Sequence, residues 1–131
     1  MKTIAKTAYY SIAVDKTKNR IYLTILGFWK SPEIVPAYVE DMKKACQEIS
    51  PGFTVLADVT RMITLPPEIA AVHESAQQVT LAAGLRKSAE ILPKEKALEK
   101  MALTKWSTKT GMVKNMFHAI ADAEAWLDET P

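Results

Sequence analysis

A proline followed closely by a glutamate recurs three times in this chain, at Ser31-Pro32-Glu33, Pro66-Pro67-Glu68 and Pro93-Lys94-Glu95. Each triplet reads as a helix start. Proline gives up an amide proton that the first turn leaves unpaired anyway, and the carboxylate faces the positive helix end. Ahead of each lies a strand segment: Arg20–Phe28, Phe53–Val59 and, less apolar, Arg86–Leu92. Strand followed by helix, three times over, points to an α/β sheet whose helices are crossovers between strands.

The flanking segments complete the order. Tyr9–Val14 and Arg20–Phe28 are rich in β-branched and aromatic residues. The polar Asp15-Lys16-Thr17-Lys18-Asn19 between them has hairpin length. Ile21, Leu23 and Ile25 alternate with Tyr22, Thr24 and Leu26, so both faces of that strand are largely apolar, as in a sheet covered on both sides. In the first helix Val35, Tyr38, Val39, Met42, Cys46 and Ile49 recur at spacings of three and four, with Ser31 as cap, and Ser50-Pro51-Gly52 stops it. The second helix carries Ile69, Val72, Ala76, Val79 and Ala83 and ends at Gly84. The third carries Ala97, Leu98, Met101 and Trp106. Val113–Ala119 is a last strand, and Asp122 caps a last helix bearing Ala123, Trp126 and Leu127. The expected fold is α/β, in the order β-β-α-β-α-β-α-β-α: a mixed, mostly parallel five-stranded sheet with four helices in a single domain over residues 1–131.

Composition sets the boundaries of function. With 131 residues, 48% of them hydrophobic and a net charge of +2, the chain needs no metal or disulfide staple and carries no overall charge that demands nucleic acid. The longest uncharged stretch, Ser75–Leu85, has 11 residues, too few to cross a bilayer. No cleavage site follows Met1-Lys2, and the single Cys46 precludes an internal disulfide. A soluble cytoplasmic protein is expected. The charge is uneven: Arg86–Lys114 nets +5, leaving −3 elsewhere. No aromatic residues are interleaved there as in RNA-binding patterns, so the basic segment reads as a solvated face and no specific nucleic acid is expected.

The opening hairpin, Gly27-Phe28-Trp29, the run Phe53-Thr54-Val55-Leu56-Ala57-Asp58-Val59-Thr60, and the ending Met116-Phe117-His118 with Ala123-Glu124-Ala125-Trp126-Leu127 resemble, in this order, the STAS fold of bacterial anti-sigma-factor antagonists. The resemblance spans about residues 8–128 and is greatest to the divergent branch similar to the stage II sporulation antagonist. It implies a regulatory protein that docks partners. In that family a serine near the start of the second helix is phosphorylated. Asp58-Val59-Thr60 resembles the segment that leads to it, but the serine region reads Leu65-Pro66-Pro67-Glu68, which has no hydroxyl. The phosphoserine switch is therefore expected to be missing.

Candidate surface residues follow from strand ends. Asp58, Thr60, Arg61 and Thr64 fall between a strand and the next helix, where open α/β sheets place ligands and partners. The same residue types also satisfy loop backbone and cap helices. Phe28 and Trp29 leave their strand together, either as an aromatic anchor for a partner or as packing beneath a loop. His73 and His118 lack the spacing of a metal set, and Cys46 sits on an apolar stripe, so neither metal nor catalytic thiol is expected. No phosphate loop or nucleophile elbow occurs, and neither an enzyme nor a cofactor is expected. Two readings remain. One is a non-enzymatic regulatory or protein-interaction module. The other is a carrier of a small apolar, lipid-like ligand between helices and sheet, motivated by Leu81, Leu85, Leu98, Met101, Leu103, Trp106 and Met112. A hairpin edge strand could also pair with a second copy in a homodimer.

Overall fold

Alternation decides which side of each strand is buried, and the strands assemble accordingly. The computed structural model describes residues 1–64, 67–92 and 113–129. Six strands, β1 (Lys2–Lys6), β2 (Tyr10–Asp15), β3 (Arg20–Phe28), β4 (Thr54–Thr64), β5 (Lys87–Ile91) and β6 (Lys114–Phe117), lie side by side in chain order. The first three are antiparallel neighbours, and β3 to β6 are parallel. Among the described residues there are three α-helices: α1 (Tyr38–Gln47), α2 (Pro67–Ala82) and α3 (Ile120–Asp128). The expected third helix over residues 93–112 lies outside the described residues.

The sheet thus has six strands where five were expected. Strand β1 is the addition; its ends are Lys2 and Lys6, and lysines on an edge discourage pairing with another chain. The β2–β3 turn is held by Asp15, whose Oδ1 accepts from the amides of Thr17 at 3.0 Å and Lys18 at 3.2 Å. The first helix starts later than the Ser31-Pro32-Glu33 signal indicates. That triplet makes a short 3-10 turn, Pro32–Ile34, without a side-chain cap from Ser31, and α1 begins only after Pro36. A second proline so soon would lose an intrahelical hydrogen bond and clash with the preceding turn. The last helix is likewise uncapped by a side chain: Ala119 is its N-cap, and Asp122 sits within the first turn.

Both parallel crossovers that are described, through α1 and α2, put their helices on one face of the sheet. Ile12, Val14, Ile21, Leu23, Ile25, Val55, Ala57 and Val59 point into that layer and meet Tyr38, Met42, Ala45, Ile69 and Ala76. The opposite face is narrower, with Leu56, Ala89 and Ile91 against Ala123 and Leu127 of α3. Ion pairs complete it. The buried Arg20 guanidinium is paired with Glu124 and, at 2.7 Å, with Asp128, and its Nε donates to Thr54 Oγ1 at 2.8 Å. Tyr22 Oη donates to Glu124 at 2.9 Å. Arg86 and Lys87 donate to the last carbonyls of α3, and Lys87 Nζ also lies 4.4 Å from the centre of the Trp126 ring. Of the basic segment read in the sequence, these two residues are therefore spent on closing a helix end.

Candidate functional site

A bulge at the carboxyl end of β4 organises the exposed part of the site. Thr24 pairs with Asp58, but Leu26, two residues on, pairs with Arg61, three residues on, so β4 carries one extra residue. Asp58 Oδ1 accepts from the Thr60 amide at 3.0 Å and from Thr60 Oγ1 at 2.7 Å, folding the bulge around itself. The extra residue switches the alternation, so that Val59 and then Met62 are buried while Thr60 and Arg61 between them face solvent. The strand consequently runs on to Thr64, beyond the Val59 end expected from sequence, and Thr64 joins it opposite Phe28.

The sequence candidates separate into two groups. Asp58, Thr60 and Arg61, with Phe28 at 42% exposed, gather on neighbouring ends of β3 and β4. Trp29 turns inward instead. Its Nε1 donates to the Tyr9 carbonyl at 2.9 Å, and its ring stacks on His73 with centroids 5.1 Å apart and planes at 11°. Tyr10 and Tyr38 meet the edges of this stack, and Tyr10 Oη donates to Asp41 Oδ2 at 2.6 Å in the interior. Burial pulls the His73 imidazole down to about 4, so it is neutral in its stack. Burial, with the Asp41 carboxylate beside it, pushes the Tyr10 phenol up. His118 is exposed and lies against the Leu92 carbonyl, Nδ1 to oxygen 2.7 Å. Among the described residues no three His, Cys, Asp or Glu side chains gather as a metal site, and no helix is long and apolar enough to cross a membrane.

Beneath α1 and α2 lies a cleft whose lining residues the sequence did not single out. Leu23, Ile25, Val55, Ala57, Val59 and Met42 line one part of it; His73, Gln77, Thr80, Ser88 and Glu90 line the other. Its inner cavity measures about 50 Å³, within about 510 Å³ of empty space counted to the mouth. The inward face of α2 is Ile69, His73, Ala76 and Thr80, so the buried stripe is turned from the expected Ile69–Val72–Ala76–Val79 towards polar residues. Of the residues that motivated a ligand, Leu81 and Leu85 do not line this cleft, and Leu98, Met101, Leu103, Trp106 and Met112 lie outside the described residues. The signal available in the sequence was Glu90 amid the apolar Ala89, Ile91 and Leu92, and polar residues at helical spacing in His73, Gln77 and Thr80. Glu90 Oε1 accepts from Lys114 Nζ at 2.9 Å, and both side chains are almost fully buried. Burial pushes the Glu90 carboxyl up, and the Lys114 ammonium only partly counters it.

With this geometry in place, comparison with known proteins supplies the fold. No family model and no curated protein matches the sequence. A solved structure does match: an uncharacterized protein of the DUF3478 family from Shewanella loihica PV-4, described as having a SpoIIAA-like fold. It superposes with a TM-score of 0.60 and 16% identity, over 94% of this chain and 97% of the other. The SpoIIAA-like fold is that of the sporulation antagonist, so the STAS-like architecture read from the sequence is the one adopted. At that identity the likeness extends to the fold and no further.

Proposed function

We propose that this chain is a non-enzymatic regulatory or protein-interaction module, resembling anti-sigma-factor antagonists but without their phosphoserine switch. The observation that carries this reading is the exposed patch at the ends of β3 and β4. There Phe28, 42% exposed, ends β3, and Thr60 and Arg61 are exposed on the neighbouring end of β4, while Trp29 turns inward and donates to the Tyr9 carbonyl. Phenylalanine and arginine are both enriched at protein interfaces, and arginine is among the residues that dominate their binding energy. The segment that would hold the phosphorylated serine is Leu65-Pro66-Pro67-Glu68, where no side chain can take a phosphate. The test uses the whole chain, wild type and Phe28→Ser/Arg61→Glu, as immobilised bait, followed by calorimetry on whatever purified partner is recovered. A loss of at least tenfold in affinity in the variant, with its melting temperature unchanged, supports the patch. Equal binding by both chains removes it.

The cleft under α1 and α2 favours a second reading, a carrier of a small apolar ligand. Here the supporting observation is its amphipathic lining, since ligand pockets are mostly apolar with a few convergent polar groups. Native mass spectrometry of the gently purified chain would show a co-purifying small molecule, and a clean apo mass from every preparation would count against it. We also propose a single domain over residues 1–131, to be checked by one cooperative unfolding transition.

A further inference from the structure

Strand β3 reads in sequence as covered on both sides, but the second side is covered only in part. Ile21, Leu23 and Ile25 lie under α1 and α2. On the opposite side α3 packs on Leu56, Ala89 and Ile91 and reaches β3 at Arg20 and Tyr22. Beyond Tyr22 that side continues over β1, β2 and the upper ends of β3 and β4, and no described helix packs on it. Register places Lys6, Ser11, Thr24 and Asp58 in one row across the four strands, and Leu26 opposite Arg61. Ser11, Ala13, Thr24 and Leu26 alternate with residues buried under α1 and α2, and Arg61 precedes the buried Met62, so they share this side. Ala13, Tyr22 and Leu26 are half-buried and apolar or aromatic where a solvated sheet face would be polar. Charge stands at the margins. Lys6 and Arg61 are exposed and in no ion pair among the described residues, and Asp58 gives Oδ1 to Thr60.

We propose that this uncovered half-face docks an acidic amphipathic helix of a partner protein, laid beside α3. The inference rests on the protein-interaction reading and names the partner's chemistry. The precedent is α3 itself. Its residues Ile120–Asp128 include the acids Asp122, Glu124 and Asp128 and no base; Ala123 and Leu127, four apart, are buried; and Glu124 and Asp128 meet Arg20. The bare half repeats that kind of surface, with Ala13, Leu26 and the Tyr22 ring as floor and Lys6 and Arg61 as flanking cations. Space allows it. Strands about 4.8 Å apart put the middle of β2 and β3 about 12 Å from β5, and packed helices need only about 8–10 Å between axes. The occupant is a helix and not a strand, because backbone groups within a sheet are already paired and a face offers side chains alone. It is acidic, because a basic helix would set like charge against Lys6 and Arg61, and Asp58 is already engaged by Thr60.

The experiment titrates the full ¹⁵N-labelled chain at pH 7 and about 50 mM salt with two helical peptides of about 18 residues, following amide shifts. One carries Leu and Ala at i, i+4 spacing with Glu on both flanks; its twin carries Lys in place of Glu. The acidic peptide is expected to shift residues 11–13, 22–26 and 58–61 and to bind at least about tenfold more tightly than the twin, with the gap shrinking at about 0.5 M salt. Equal binding by the twin, or shifts confined to other residues, overturns the inference. So do shifts of the same size throughout residues 120–128, which would mean that the peptide takes the place of α3. If neither peptide binds at about millimolar concentration, the helix inference falls; a partner still lost by the Phe28→Ser/Arg61→Glu bait then leaves the patch reading standing without it. Lys6→Glu/Ala13→Asp alters the half-face and spares Phe28 and Arg61. It is expected to weaken the acidic peptide at least about tenfold, and unchanged affinity places the peptide elsewhere. Should that variant not fold, Lys6→Glu alone, at an exposed strand end, is expected to weaken it about threefold, and no change has the same meaning.

Discussion

His73 makes acid stability a direct measure of how dry the α1–α2 layer is. Its ring is stacked on Trp29 and 5% exposed, and burial lowers its pKa from 6.5 to about 4. An unfolded chain titrates this histidine near 6.5, so between pH 6.5 and 4 the unfolded state binds a proton that the folded state refuses. Stability contributed by the neutral ring is therefore complete above 6.5 and lost as pH falls. A gap of 2.5 units at about 1.4 kcal/mol per unit is worth roughly 3.5 kcal/mol in full. Most of it, roughly 2–3 kcal/mol, is gone by pH 4.5. Other groups titrate nearby. Glu124, held low against its burial by Lys18, Tyr22 and Arg20, and Asp128, held low by Arg20, lose their contribution at still lower pH. Glu90, pushed up by burial, acts in the opposite sense and relieves a cost as it protonates. The comparison that isolates the histidine is therefore His73→Phe, which preserves an aromatic ring against Trp29 and has no proton to bind. Urea unfolding of both chains from pH 7.5 to 4.5 is expected to show their stability difference shifting in favour of the variant by roughly 2–3 kcal/mol. A difference that stays within about 0.5 kcal/mol across the range, or an imidazole resonance titrating above pH 6, would refute a desolvated neutral ring.

Arg20→Met removes the buried partner of Glu124 and Asp128 and leaves both carboxylates partly solvated; about 1–3 kcal/mol should be lost, with α3 amides exchanging first by hydrogen-exchange mass spectrometry. Asp128→Asn, at the exposed end of the same network, is expected to leave the urea midpoint close to that of the wild type. Gly84→Ala places a Cβ 2.8 Å from Pro51 Cβ at a φ of +104°, and thermal unfolding should register a loss of at least about 1 kcal/mol. Cys46, pushed up to about 11 by burial, should react with iodoacetamide at pH 8 at least about tenfold more slowly than a free thiol, with full reactivity recovered in urea.

The legible parts of this fold were those in which one local signal agreed with burial. Arg20–Phe28 was read to the residue because its alternation has a core partner on the α1–α2 side throughout, Ile21, Leu23 and Ile25. The start of α2 at Pro67 was legible from its paired prolines, and the less apolar Arg86–Leu92 contains β5, Lys87–Ile91. The misread elements are those where a second constraint overrode the first. Pro36 cancelled the start that Pro32 announced. The polar Thr60 and Arg61 looked like a loop because sequence alternation cannot show a bulge; the buried Met62 beyond them was its one trace. Lys2–Lys6 was passed over because five residues ending in lysines have little apolar signature, which is also what suits them to an edge. The cleft was hidden for a different reason. Its polar members come from α2 and β5, and each reads singly as an ordinary surface residue.

The two faces of the sheet use charge in opposite ways, and the contrast bears on where function resides. On the α3 face, Arg20 meets two carboxylates that are themselves partly solvated, so the network holds a helix down without isolating any charge. On the α1–α2 face, Glu90 and Lys114 are both almost completely removed from water, and one carboxylate oxygen is left over. Such a pair is a poor way to stabilise a domain, because apolar residues of similar volume commonly serve as well or better. Strand β5 had that option: Ala89 and Ile91, flanking Glu90, fill the opposite layer with apolar side chains. A stability argument therefore accounts for Arg20 and leaves Glu90 unexplained. Local exceptions to the rules that otherwise specify a fold tend to mark functional positions. That reasoning directs the first ligand experiments to the cleft and leaves the exposed Phe28–Arg61 patch to be tested separately as a partner surface.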